Sequence, residues 1–138
     1  MKEANVLYEG KFKNNLPHGK GKEEGPNYTY EGQYERGTKL SGKMTWNLDL
    51  PTPSIYVGCF YEEKFNGNGI ICNEKGKFEG SFIDNKKTGF GTFYYKNGAR
   101  FEGTYQNNKK NGIGRMISPE GKVVLSGKWK NDQPPSLD

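Results

Sequence analysis

The sequence predicts an all-β protein: one elongated, single-layer, twisted antiparallel sheet made of consecutive β-hairpins. Three observations carry this. A five-residue segment, aromatic or Leu first, Gly third and aromatic fifth, recurs at intervals of 22 to 26 residues. Its copies are Tyr8–Phe12, Tyr30–Tyr34, Tyr56–Phe60, Phe78–Phe82, Phe101–Tyr105 and Leu125–Trp129. The chain holds 20 Gly but only two Ala, and Gly in a helix interior costs about 1 kcal/mol relative to Ala. Within each copy the aromatics and glycine sit two residues apart, the period of a strand rather than a helix.

The elements follow in order. In the first strand of each repeat, aromatic, gap and aromatic share one face: Tyr8, Gly10, Phe12; Tyr30, Gly32, Tyr34; Tyr56, Gly58, Phe60; Phe78, Gly80, Phe82; Phe101, Gly103, Tyr105. The second strand carries Gly19 and Gly21, Gly67 and Gly69, Gly89 and Gly91, Gly112 and Gly114, read as two successive gaps on that face. Polar pieces such as Asn14-Asn15 and Asn85-Lys86-Lys87 are read as hairpin turns. Lys96-Asn97-Gly98 and Pro119-Glu120-Gly121 lead to the next hairpin and call for a residue with positive φ. A flat ring needs empty space beneath it, so aromatics are expected to pack over glycines of neighbouring strands. Each hairpin then leans on its neighbours and needs no second layer.

Two departures interrupt the pattern. In the second repeat a lone Gly42 stands one position late, and residues 47–54 (NLDLPTPS) are inserted before Ile55. The two prolines there cannot donate ladder hydrogen bonds. The sixth copy stops after Trp129, and the prolines of NDQPPSLD resist further sheet. The reading is one domain, 1–138. Its repeats lie at about 8–29, 30–55, 56–77, 78–100 and 101–124, followed by a half repeat at 125–133 and a short polar tail at 134–138.

Composition bounds the function. Leu, Ile, Val and Phe together make 25 of 138 residues, yet nine Tyr, eight Phe and two Trp argue against disorder. No apolar run is long enough for a signal peptide or a membrane span, so a soluble cytoplasmic protein is expected. The net charge of +5 comes from 18 Lys against three Arg. Arg is the residue that reads bases and phosphates bidentately, so specific nucleic-acid recognition is not expected. The G-x-G pairs lack the following Lys-Ser/Thr and helix of a phosphate loop. His18, the single histidine, has no recognisable nucleophile or acid beside it and is read as a turn residue. Cys59 and Cys72, in the two strands of the third hairpin, are read as unbridged thiols that face away from the rings as cross-strand neighbours. Two cysteines do not make a closed zinc site. No cofactor or metal is expected, and no catalytic residue.

The Tyr-Glu-Gly-x-aromatic segment followed by His-Gly-x-Gly stands intact at Tyr8–Phe12 and His18–Gly21. It resembles the MORN family (membrane occupation and recognition nexus). The resemblance implies a twisted sheet of hairpins serving as a scaffold, a partner-binding module or, in some members, a lipid contact. It further implies a ciliary or cytoskeletal setting, because radial-spoke-head and other cytoskeletal proteins contain such repeats. The expected function is a non-enzymatic adaptor among other protein subunits of a larger complex. The alternative is a peripheral binder of anionic membranes.

Residues in the chain point to where such binding would occur. Lys64, Lys86, Lys87, Lys109 and Lys110 lie near equivalent turns, which stacking would place about 10 Å apart, at about 4.8 Å per strand. They form an expected lysine ridge for an acidic protein surface or an anionic membrane. Leu48, Leu50 and Ile55 of the insertion have no place in the repeat and are the expected specificity contacts. The open first and last strands could each pair with another chain.

Overall fold

The structure, a computed structural model, describes residues 6–136. Among them are eleven strands and no helix. They are β1 (Leu7–Lys13), β2 (Leu16–Gly25), β3 (Tyr28–Glu35), β4 (Thr38–Trp46), β5 (Ser54–Tyr61), β6 (Lys64–Asn73), β7 (Gly76–Ile83), β8 (Lys86–Tyr95), β9 (Arg100–Gln106), β10 (Lys109–Ile117) and β11 (Val123–Trp129). All lie in one antiparallel sheet in sequence order, as predicted.

One line of glycines crosses every strand. Gly10, Gly21, Gly32, Gly42, Gly58, Gly69, Gly80, Gly91, Gly103, Gly114 and Gly127 are each paired with the next. The first aromatic of each repeat lies flat across two of them, its own and the one on the next strand. A Cβ on Gly58 would fall 2.6 Å from the Tyr56 hydroxyl, and one on Gly69 would fall 2.5 Å from the Tyr56 ring. Phe101 covers Gly103 and Gly114 in the same way. The rings of Tyr30, Tyr56, Phe78 and Phe101 are thereby fully buried on a single sheet.

The rings then interlock between repeats. The first ring of one repeat meets the second ring of the next edge to face: Tyr8 with Tyr34, Tyr30 with Phe60, Tyr56 with Phe82, Phe78 with Tyr105, Phe101 with Trp129. Their centroids are 4.9–5.4 Å apart, and such pairs are worth about 0.5–1.5 kcal/mol each beyond their burial. This row is the core.

The glycines of the second strand divide their labour, which corrects the expectation of two equal gaps. Only the later one lies under a ring. Gly19, Gly67, Gly89 and Gly112 instead have φ of 80°, 82°, 70° and 106°. They sit in a bulge that gives the second strand two residues more than the first between flanking pairs. In β4 the bulge is one residue shorter, Tyr34 opposing Lys39 and Gly32 opposing Gly42. Gly42 therefore stands in the glycine line, and the apparent offset is a missing bulge residue.

Each hairpin closes with a two-residue turn in which both residues have positive φ: Asn14–Asn15, Arg36–Gly37, Glu62–Glu63, Asp84–Asn85, Asn107–Asn108, Asn131–Asp132. These are the mirror-type turns that match strand twist. The fourth turn is thus Asp84–Asn85, with Lys86 and Lys87 already in β8. The corners at Gly98 and Gly121 have φ of 97° and 93°, as predicted.

Candidate functional site

The turn positions decide where the predicted lysines point. Lys64, Lys86 and Lys109 open β6, β8 and β10 opposite Tyr61, Ile83 and Gln106. All three are exposed on the face away from the rings. Lys87 and Lys110 oppose Phe82 and Tyr105 instead, so they lie on the ring face. The Lys87 nitrogen stands 5.3 Å over the Phe78 ring and the Lys110 nitrogen 5.1 Å over Phe101. Burial, followed by the charge of Lys110, pulls the Lys87 ammonium below the usual lysine range. The five lysines therefore do not form one ridge. Three project outward, while two roof the core.

The roofing position recurs in every full repeat: Pro17, Lys39, Phe65, Lys87, Lys110. Phe65 stacks on Tyr56 at 3.8 Å, and Lys39 stands 5.3 Å over Tyr30. The turn of the following repeat grips this residue. Asn85, Asn108 and Asp132 side chains accept the backbone N–H of Phe65, Lys87 and Lys110, and their own N–H groups donate to those residues' carbonyls. Pro17 has no N–H and its partner Gly37 no side chain, leaving one bond, Gly37 N–H to the Pro17 carbonyl, 2.9 Å. His18 fills the gap: its Nδ1 accepts from the Arg36 N–H at 3.4 Å. The histidine is thus a turn brace.

Lys39 also joins a partly buried polar node that sequence reading missed. Its ammonium lies 3.3 Å from Glu23 and 2.7 Å from Glu63. Tyr28 and Tyr34 donate hydroxyls to Glu23. Burial pushes the Glu23 carboxyl up, but the Tyr28 and Tyr34 hydrogen bonds and Lys39 together hold it below the usual carboxylate value. Burial and the same hydrogen bond raise the Tyr34 hydroxyl. The node is satisfied internally and closes the core between the first and third repeats.

The insertion 47–54 lies on the opposite edge from the hairpin turns, a strand length from Lys64, Lys86 and Lys109. Leu48 and Leu50 are exposed there. The loop is fastened to the preceding corner by the Leu48 N–H to Asn27 Oδ1, 2.9 Å, and by Asn27 to Asp49. Ile55 belongs to β5, half-buried opposite Thr45 and Cys72. Cys72 faces Ile55, four residues along β5 from Cys59, about 14 Å at about 3.4 Å per residue. The cysteines are free and are not the cross-strand neighbours expected.

The outward face shows what the repeat does not dictate. Behind the ring row the glycine line is a bare furrow. Its banks carry Glu9, Lys20, Lys22, Glu31 and Lys43 in the first two repeats, and from the third repeat they mix apolar side chains with charged ones. Val57, Ile70 and Phe90 line one depression together with Glu79, and Phe90 and Ile113 line a second together with Glu102 and Arg115. Phe90 is 64% exposed and Ile113 69%. Both occupy the middle of a G-x-G, where earlier repeats have Lys20 and Asn68. That substitution at opposite parity to the rings is the signal the sequence carried.

Among the described residues, Glu102 of the repeated Glu position bonds Arg100 and Arg115 and Glu79 meets Lys77. These are surface pairings. No curated protein matches the chain. The family model for the MORN repeat matches residues 8–29, 78–100 and 101–123. Such repeats generally take part in protein–protein or membrane interactions and generally serve as non-catalytic scaffolds. Residues 30–77 repeat the same hairpin, glycine line and ring order, and the chain is a MORN-repeat protein.

Proposed function

We propose that this chain is a non-enzymatic adaptor subunit, set in a ciliary or cytoskeletal assembly, that holds a protein partner on the outward face of repeats three to five. The observation that carries this reading is the set of exposed apolar side chains on the face of the sheet opposite the buried rings. Val57, Ile70, Phe90 and Ile113 do nothing for the ring row, and they gather around two depressions in which Glu79, Glu102 and Arg115 supply polar contacts, the mixture an interaction site needs. Tyr61 and Ile83 extend the patch toward the turns, where Lys64, Lys86 and Lys109 project on the same face. The fitting partner is an apolar segment flanked by acidic residues. Leu48 and Leu50, on the other edge, offer an independent second contact.

An anionic membrane would also meet lysines beside apolar side chains. Against it, Glu62, Glu63 and Asp84 occupy the very turns that precede Lys64 and Lys86, which dilutes the averaged field a membrane would feel, whereas a protein partner places single acidic groups opposite single lysines. The test is affinity purification from the native source with wild type, Phe90→Ser/Ile113→Ser, a Lys64/Lys86/Lys109→Glu triple variant and a deletion of 47–54, each with its melting confirmed. The furrow and lysine variants are expected to lose a shared partner. Wild-type recovery by both excludes this face. Co-sedimentation of wild type with anionic vesicles at physiological salt, abolished by the lysine variant, selects the membrane reading instead.

A further inference from the structure

The two ends of the ring row are finished differently. At the far end Trp129 covers Phe101, and the tail turns back through the Lys130–Gln133 bridge. Pro135 then lies over Gly127, where a Cβ would fall 2.9 Å from it. Leu125 replaces the aromatic whose ring would cover that glycine, so Pro135 closes the row. At the near end nothing comparable is present among the described residues. Among the described residues no strand pairs with the outer edge of β1, and Phe12 is 62% exposed. Its counterparts Tyr34, Phe60, Phe82, Tyr105 and Trp129 are all at 6% or less.

We propose that the edge of β1 pairs antiparallel with β1 of a second copy, Gly10 opposite Gly10, about a twofold axis normal to the sheet. β1 reads Leu-Tyr-Glu-Gly-Lys-Phe-Lys, and this register makes it its own complement. Glu9 faces the partner's Lys11 and Lys11 the partner's Glu9, on the outward face. Tyr8 faces the partner's Phe12 on the ring face. The glycine line runs unbroken from one copy into the other. An isologous interface needs this self-complementarity, and exposed edge strands are templates for such pairing. Glu9, Lys11 and Phe12 are exposed, Phe12 meeting Tyr8 edge to face at 5.1 Å and leaving most of its ring open. One strand pair is a small interface, so the dimer is reversible and concentration-dependent. The inference is independent of the partner proposed for the outward face.

Analytical ultracentrifugation of the full chain over a concentration series tests it. Wild type is expected to move from monomer to dimer mass. Glu9→Lys and Lys11→Glu each place like charges opposite one another twice per dimer, and each should weaken association at least about tenfold. An equimolar mixture of the two variants should recover a dimer, as should the charge-exchanged double variant. Melting curves establish that every variant is folded. Monomeric wild type at all concentrations overturns the proposal, whether because another segment covers β1 or because nothing does. Dimers indifferent to both single variants, or no recovery in the mixture, overturn it as well.

Discussion

The two faces of the glycine line obey different rules. On the ring face every repeat does the same thing: ring over two glycines, second ring against its neighbour, one residue roofing the first. On the outward face the same eleven glycines form a furrow whose banks differ in every repeat. Identical geometry on one side secures the stack, and variation on the other is free to be specific. What distinguishes this protein from any other stack of such hairpins therefore lies opposite its core.

The largest expected effect breaks this contrast most directly. A Cβ on Gly80 would sit 2.6 Å from Phe78 and 3.0 Å from the Gly91 backbone, so Gly80→Val is expected to destabilise by about 3 kcal/mol. Phe90→Ser, across the sheet, should shift stability by no more than about 0.5 kcal/mol, because its ring supports nothing. Chemical denaturation of the two variants measures both. Equal losses would mean that the outward face is part of the core after all.

How much of this was legible depends on what a repeat makes visible. The hairpins, their order, the rings and the glycine gaps follow from spacing alone, since period two has one structural meaning. The bulge was not legible. Gly19 and Gly21 are both glycine, and only backbone geometry separates a positive-φ residue from a gap. Lys86 and Lys87 failed for a related reason. Placing the turn one residue late reverses parity, and a reversed parity sends each lysine to the wrong face. The node of Glu23, Lys39 and Glu63 joins three successive repeats at positions where the others carry different side chains, so no template announced it.

That node gives the next expected effect. Lys39→Ala removes the shared cation and leaves Glu23 and Glu63 facing each other in a partly buried site. The loss should be about 2 kcal/mol, less than for a fully buried pair because Glu63 is half exposed. Its exposed counterpart Lys109→Ala should be silent within about 0.5 kcal/mol. Thermal melts of both variants decide whether the ring face tolerates polar groups only when they are paired.

Acid titration sharpens the same point. The Glu23 carboxyl is held below its ordinary value, so the unfolded chain binds its proton more readily. Its contribution is complete above the unfolded carboxylate pKa of about 4.3 and is lost as pH falls through the lower, folded value. Wild type should therefore lose stability more steeply than Glu23→Gln below that point, with parallel curves near neutrality. Parallel curves throughout would show that the carboxylate is not stabilised by Tyr28, Tyr34 and Lys39.

The smallest effect concerns two adjacent lysines. Lys86 faces solvent, and Lys86→Ala should change stability by less than about 0.5 kcal/mol. Lys87 roofs Phe78, and Lys87→Ala should cost about 1 kcal/mol through the lost cation–π contact and the buried stem. Repeat three shows what else fits: Phe65 takes the same position and stacks on Tyr56. Lys87→Phe should therefore be at least as stable as wild type at neutral pH, because a ring there carries no charge to desolvate. The sign with pH follows from the lowered ammonium pKa. The penalty on the charged lysine is fully present below the folded value and is relieved as pH rises through it toward the unfolded value near about 10.4. The advantage of Lys87→Phe should accordingly shrink between those two pH values. An advantage that grows with pH, or a Lys87→Phe variant that melts below Lys87→Ala, would show that the roofing position requires a cation rather than a flat or long apolar cover.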